Sequence, residues 1–534
     1  MGSIPTGPID SERSIVATSQ KMIESLLHKA GEAQHRGDLD AAEHALSQVV
    51  KLRPSHAGAW SRLASIHQYR GDTARALAAI RKAVKAQPKD GRLQLALAEC
   101  CELEGDGQGA LEAYRAAAQL LPAEPRGLCG RASVLERMHM LDEARAAAEQ
   151  AAATFPDSAI AATMLARVLR RQGETDRAFE LLRAALDRSP KPEDEYPAAF
   201  ELGRLLDKLG RYDDAFAAFQ RANSAQAKAA SIDTIPPDPA LGLCDEVRTF
   251  TAEQFTQWRS EAEQSKGTPE RVAFLFGFPR SGTTMTDRIL GSHPDVVILE
   301  EQPTIREMHA ALHRVSPDGK PIRDLYPVMT QAQAEILREA YRSAVRQRLS
   351  AKDARRWKSG ELLVIDKFPL QITAIGTISR VLPSAKVMVA LRDPRDACLS
   401  AFMQSFGLNR SMMQMLDLER TASYYNAVMG MWADVRERLA LDWLEVRYED
   451  TVDAFESQAR RVLDFLGLPW SDALGQFHRH QPGTLVSTPS YEAVSRPINR
   501  DAIGRWKNYR PHIAELIGAL APMVKRFGYE PADA

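Results

Sequence analysis

Prolines at positions 54, 88, 122, 156 and 190 stand 34 residues apart, and a chain with such a period folds as a stack of equal units. A series of small residues keeps step with them: Ala30, Ala64, Ala98, Ala132 and Ala166, then Gly203 after three extra residues near 191–197. A second series runs Ala42, Ala76, Ala110, Ala144, Ala178 and Ala215. Small side chains at fixed spacing let two antiparallel helices approach closely, and proline ends the second helix because it cannot continue the hydrogen-bond ladder. The turn between the helices recurs as Gly37-Asp38, Gly71-Asp72, Gly105-Asp106, Gly173-Glu174 and Gly210-Arg211, where glycine accepts the left-handed conformation. His139 occupies the fourth slot and departs from the pattern. Each period reads as a helical hairpin.

These residues resemble the tetratricopeptide repeat, in six units from Ile23 to Lys228. The resemblance implies a superhelix whose concave side holds a peptide or protein segment, the acceptor substrate among the candidates. A rigid spacer, or a dimerisation surface giving a homodimer, is the alternative use. Ser231 to Asp238, with Pro236 and Pro237, breaks the helical pattern and reads as a linker. The organisation expected is an N-terminal segment at 1–22, the repeats at 23–229, a linker and connecting helix at 230–270, and an α/β domain at 271–534.

At 534 residues the chain is too long for one ordinary domain. Its 69 Lys and Arg against 70 Asp and Glu leave no global basic field for nucleic acid or an anionic membrane, so any anion site must be local. Neither a leader pattern at Met1 to Thr18 nor a run of about 18 apolar residues is present. Cys100, Cys101, Cys129, Cys244 and Cys398 form no CxxC pair, which suits a reducing, cytoplasmic setting; zinc and disulfide frameworks are not expected.

From Arg271 the texture changes. Val272 to Phe276 is an apolar run of strand length, a glycine-containing turn follows to Thr284, and Met285 to Leu290 reads as the start of a helix. Unpaired N–H groups at such a helix start bind phosphate. Gly277 and Gly282 have the spacing of a Walker A loop and Thr284 sits at its Ser/Thr position, but Thr283 replaces its lysine. The loop therefore lacks the devices by which a nucleoside triphosphatase or kinase offsets β and γ charge; Arg280 supplies a forked cation instead. A second apolar run, Lys386 to Leu391, leads into Arg392-Asp393-Pro394-Arg395, placing Arg392 at a strand's carboxyl end, where open α/β sheets bind ligands.

Pro279-Arg280-Ser281-Gly282-Thr283-Thr284 resembles the 5′-phosphosulfate loop of sulfotransferases that use 3′-phosphoadenosine 5′-phosphosulfate (PAPS). His293-Pro294-Asp295-Val296 followed by Glu300-Glu301 is most similar to the tyrosylprotein branch, over about Val272 to Trp506. The resemblance implies an α/β P-loop-like domain with a mainly parallel sheet, holding PAPS through Arg280, Ser281, Gly282, Thr283, Thr284, Arg392, Ser400 eight residues further on, and Tyr448. Ser490, Asn499 and Arg505 match the segment that closes over the cofactor. Two positions depart: Gln404 stands where that branch has a further arginine, and Arg505 where it has lysine.

Sulfuryl transfer to a hydroxyl needs a base, cations on the sulfuryl oxygens and support for the departing nucleotide. By family position Glu301 is the base, with Glu300 pointing elsewhere, and Lys367 steadies the transferring group with Arg280 and Ser490. His293 is the rival base, but it matches a family histidine that is not catalytic. The function implied is a PAPS-dependent, metal-independent sulfotransferase acting on a hydroxyl, with a protein or peptide tyrosine as leading acceptor. A glycan or small molecule is the alternative acceptor, and a non-catalytic scaffold with a nucleotide-binding domain the alternative class.

Overall fold

The computed structural model describes residues 9–36, 38–263, 271–477 and 498–532. Six helical hairpins come first: α1/α2 (Ile9–His35, Leu39–Leu52), α3/α4 (Ala57–Tyr69, Thr73–Ala86), α5/α6 (Gly91–Leu103, Gly107–Leu120), α7/α8 (Arg126–Arg137, Leu141–Thr154), α9/α10 (Ala159–Gln172, Thr175–Asp187) and α11/α12 (Pro192–Lys208, Tyr212–Ala229). The periodic alanines lie inside them, each at most 2% exposed, and a Cβ on Gly203 would stand 2.7 Å from the Phe219 ring. The Gly-Asp turns divide two tasks. Gly71 and Gly105 take φ of 71° and 75°, while Asp72 and Asp106 accept N–H bonds that cap α4 and α6. His139 makes the same left-handed turn without glycine, at φ 60°. Gly37 lies outside the described residues.

Contacts divide the chain into two units that meet in sequence within α9, one reaching Val168 and the other starting at Leu169. The first has a core of small and aliphatic side chains from α1 to α7. The second takes in α10, α11 and α12 with everything that follows, so packing and repeat periodicity draw different boundaries. Helices α13 (Ala240–Arg248) and α14 (Ala252–Glu263) follow the proline-rich segment. That segment is tied down: Asp238 accepts from Tyr424 Oη at 2.6 Å, and Pro236 O from Gln414 Nε2 at 2.8 Å.

Five strands then form one parallel sheet: β1 (Val272–Gly277), β2 (Val296–Glu300), β3 (Leu363–Lys367), β4 (Lys386–Leu391) and β5 (Asp442–Arg447), in the order β2-β3-β1-β4-β5. The runs of β1, β3 and β4 are buried continuously rather than alternately because both faces are covered. Ala273, Leu275, Met388 and Val446 pack on one face with Val462 and Leu466, and Phe274 meets Tyr341 on the other. β1 lies centrally, with β3 on one side and β4 on the other, so the chain switches direction there and leaves a crevice beyond the carboxyl ends.

Candidate active site at the strand ends

Each strand delivers polar residues to that crevice. After β1 the chain turns through Arg280 (φ 69°) and Gly282 (φ 94°) into α15 (Thr283–Gly291). Gly277 is required by close approach, since a Cβ there would lie 2.6 Å from the Ala390 carbonyl oxygen of β4. At Gly282 a Cβ would meet the Tyr448 ring at 2.8 Å. A left-handed arginine is strained backbone of the kind found at ligand sites. Ser281, Thr283 and Thr284 are buried in the turn, and the amides of the first turn of α15 have no partner within the helix.

Arg280, Arg392 and Ser400 converge. Arg280 Nε donates to Ser400 Oγ at 3.0 Å, and Arg392 Nη1 donates to the Arg280 carbonyl at 3.1 Å. Arg392 also bonds the Ala502 carbonyl and lies over the Tyr448 ring, 5.1 Å from its centroid. Among the described residues its Nε is buried with no hydrogen-bond partner, which leaves a donor available for an anion. Burial first, then the charges of Arg392, Arg204 and Arg505, push the Arg280 guanidinium down to about 9 from its ordinary value; a bound anion would reverse that push.

The second focus is Lys367, whose side chain is 1% exposed. Its ammonium lies 3.1 Å from Glu300 Oε1, 3.2 Å from Glu301 Oε1 and 3.3 Å from Asp287 Oδ2. Burial alone would lower its pKa, and the three carboxylates outweigh that and raise it, so it stays charged. Glu300 pairs with Lys367 in the parallel register, which puts both side chains on one face. The next residue should point to the other face. Glu301 does not, because its φ of 50° turns the chain while its N–H still donates to the Lys367 carbonyl at 2.7 Å. Glu300 therefore does not point elsewhere as the sequence reading expected; both glutamates reach one ammonium. Glu301 keeps about half its side chain exposed (51%), against 28% for Glu300, so it is the carboxylate an incoming hydroxyl can meet.

Asp287, on α15, escaped the sequence reading. It is buried on that helix with Thr283, Thr284 and Leu290, and burial pushes its carboxyl up to about 7 despite Lys367. An acidic residue on the inward side of that helix was the available signal. His293 is occupied structurally: Asp295 N donates to Nδ1 at 3.1 Å, leaving Nε2 to donate to the Pro469 carbonyl at 3.0 Å. Asn499 is exposed and accepts from Asp501 N. Arg505 directs Nε (3.1 Å) and Nη2 (2.6 Å) to the Asp207 carboxylate. Gln404 turns to the Ser405 carbonyl. Ser490 lies outside the described residues.

Among the described residues no group of three or more His, Cys, Asp or Glu could hold a metal ion, and no helix is long and apolar enough to cross a membrane. All five cysteines are free and buried.

Comparison with known proteins agrees with this layout. The Sulfotransferase family model matches residues 273–472, and tetratricopeptide-repeat models match 30–68, 61–125, 129–191 and 169–234. An uncharacterized protein of Aquifex aeolicus is 25% identical over 358 residues, 66% of this chain; the match spans less than half, 45%, of that relative's length. Protein-tyrosine sulfotransferase A of Caenorhabditis elegans is 25% identical over 287 residues, 52% of this chain and 72% of its own. Protein-tyrosine sulfotransferase 1 of Danio rerio is 27% identical over 275 residues, 49% of this chain and 72% of its own.

Proposed function

The chain joins tetratricopeptide repeats to a sulfotransferase-family domain, and from that premise we infer that it is an enzyme moving a sulfuryl group from PAPS to an acceptor hydroxyl. The observation that carries the reading is the gathering, beyond the ends of all five strands, of an anion-binding loop, a buried Lys367 and a half-exposed Glu301. Two features support a nucleotide there: among the described residues Arg392 Nε is buried without a hydrogen-bond partner, and the loop offers first-turn amides beside Arg280.

When bound, PAPS supplies the sulfuryl group. Arg392 and Ser400 hold its 3′-phosphate, with Tyr448 beneath the guanidinium, while Arg280 and the loop from Ser281 to Thr284 hold the 5′ end. Ser490, Asn499 and Arg505 are assigned to its closure by the family resemblance. Glu301 would take the acceptor proton as the hydroxyl oxygen bonds to sulfur and the bond from sulfur to the bridging oxygen breaks, releasing adenosine 3′,5′-bisphosphate, while Lys367 and Arg280 would offset the charge on the sulfuryl and bridging oxygens. No metal is assigned, since these cations do that work.

The acceptor proposed is a protein or peptide tyrosine held with help from the repeats, on the strength of the protein-tyrosine sulfotransferase relatives. Five buried free thiols suit a cytoplasmic setting. Incubation with labelled PAPS and a panel of tyrosine, glycan and small-molecule acceptors tests this. Label on a tyrosine peptide supports it; label only on a glycan or small molecule replaces the acceptor; no transfer and no binding of adenosine 3′,5′-bisphosphate rejects the enzyme reading.

A further inference from the structure

The sixth hairpin is fastened to the strand-end site by contacts between residues 179 to 302 positions apart. Asp207 of α11 accepts from Arg505 Nε and Nη2 and, at 2.6 Å, from Tyr509 Oη. On α12, Phe216 stacks on Phe402 and on His512, with centroids 5.8 Å and 4.8 Å away, and Asn223 Nδ2 donates to the Phe402 carbonyl at 2.9 Å. Phe402 closes the helix Pro394–Phe402 that carries Ser400. A repeat that served only as a spacer would not need these ties.

Arg204 lies on α11 one turn before Asp207, and residues three apart share a helix face. It therefore faces the side that Asp207 fixes against Arg505. One turn earlier again, fully buried Glu201 holds Arg204 Nη1 at 3.4 Å while also pairing with Arg170, which limits how far the guanidinium can swing. The Arg204 side chain keeps 29% of its surface exposed. With Arg392 and Arg505 it is one of the three guanidiniums whose charge bears on Arg280.

We propose that Arg204, supplied by the repeat array, is a cofactor-binding residue that completes the anion site, with Asp207 as the positioning residue that holds α11 beside it. This rests on the PAPS reading above. The array and the site are then one structure at this hairpin, and the sixth repeat belongs to nucleotide recognition while the earlier repeats remain for the acceptor or a partner.

Calorimetric titration of the full chain with adenosine 3′,5′-bisphosphate tests it. Arg204→Gln should weaken binding about ten- to a hundredfold, the effect of losing a charge-assisted contact. Arg204→Lys, which keeps the charge and the pairing with Glu201, should recover part of the loss. Arg221→Gln, which breaks an ion pair with Glu195 in the same hairpin (2.6 Å), should bind as wild type does. Affinity of Arg204→Gln within about twofold of wild type would overturn the proposal. So would an equal loss in Arg221→Gln, or no recovery in Arg204→Lys. A wild-type chain that binds no bisphosphate would instead reject the underlying nucleotide reading, and that outcome is visible before any variant is made.

Discussion

The Lys367 ammonium is 3.2 Å from Glu301 Oε1, and the contact exists because Glu301 leaves β2 with a left-handed backbone, φ 50°. Strand alternation would otherwise put consecutive Glu300 and Glu301 on opposite faces. The turn spends backbone strain to bring a second carboxylate to one buried ammonium and to keep its outer edge in solvent. That is an arrangement for a group that must be oriented and still meet a substrate.

Glu301→Gln should lower turnover by about 10²–10⁴-fold, the range for a general base, with bisphosphate affinity close to wild type. Glu300→Gln also disturbs Lys367, yet its side chain is more enclosed and its second oxygen lies 3.8 Å from Arg288. Its turnover should fall by about tenfold or less. Steady-state kinetics beside calorimetry decides; comparable loss in both variants would remove the assignment of Glu301 as the base.

Arg392→Ala should weaken adenosine 3′,5′-bisphosphate binding by roughly 1.5–3 kcal/mol through loss of a charge-assisted contact. Arg395, three residues on, forms a bidentate pair with Asp393 at 2.9 and 2.7 Å and packs 4.0 Å from the Trp506 ring centroid. Its replacement should cost stability more than affinity. Equal affinity losses in the two variants would argue that Arg392 acts through folding.

How much of this was legible in the sequence follows from how local each cause is. The hairpins are set by small residues, prolines and turns within 34 positions, and even His139 keeps its slot by taking the glycine conformation. The strand-turn-helix proposed to hold phosphate is equally local, because its turn lies between Gly277 and Thr284. Asp207 with Arg505 is not: 298 positions separate them, and each alone looks like a charge on a helix or turn. Glu300 was misread because strand alternation ignores a positive φ at the following residue. Asp287 is non-local too, since the Lys367 ammonium it meets belongs to another element.

Turnover should need no divalent metal. A kinase loop relies on its lysine and Mg²⁺, whereas Thr283 stands at the lysine position here and Arg280 and Lys367 bring fixed positive charge. Activity measured with and without EDTA should agree within about twofold. Loss in EDTA that Mg²⁺ restores would count against both the loop reading and the roles of those two cations.

Asp366, on the opposite side of β3 from its neighbour Lys367, gives stability a pH dependence that can be read separately from activity. Its Oδ2 accepts from Thr304 and, at 3.1 Å, from Tyr341, while Oδ1 is buried with no hydrogen-bond partner among the described residues. Burial therefore dominates, and the two donors only partly offset it, so the carboxyl is pushed up from 3.8 to about 6. A carboxyl with a raised pKa binds its proton more tightly folded than unfolded. Its contribution is present below about pH 4 and is lost as pH rises towards 6, amounting to about 3 kcal/mol across that window. Asp366→Asn removes the titration while keeping shape and an acceptor for Thr304 and Tyr341. Denaturation of wild type and variant, followed from pH 4 to pH 7, should show the wild type losing stability relative to Asp366→Asn over that range and a constant difference above it. A difference that does not change with pH, or one that moves in favour of the wild type as pH rises, would mean that Asp366 is ionised in the folded protein throughout.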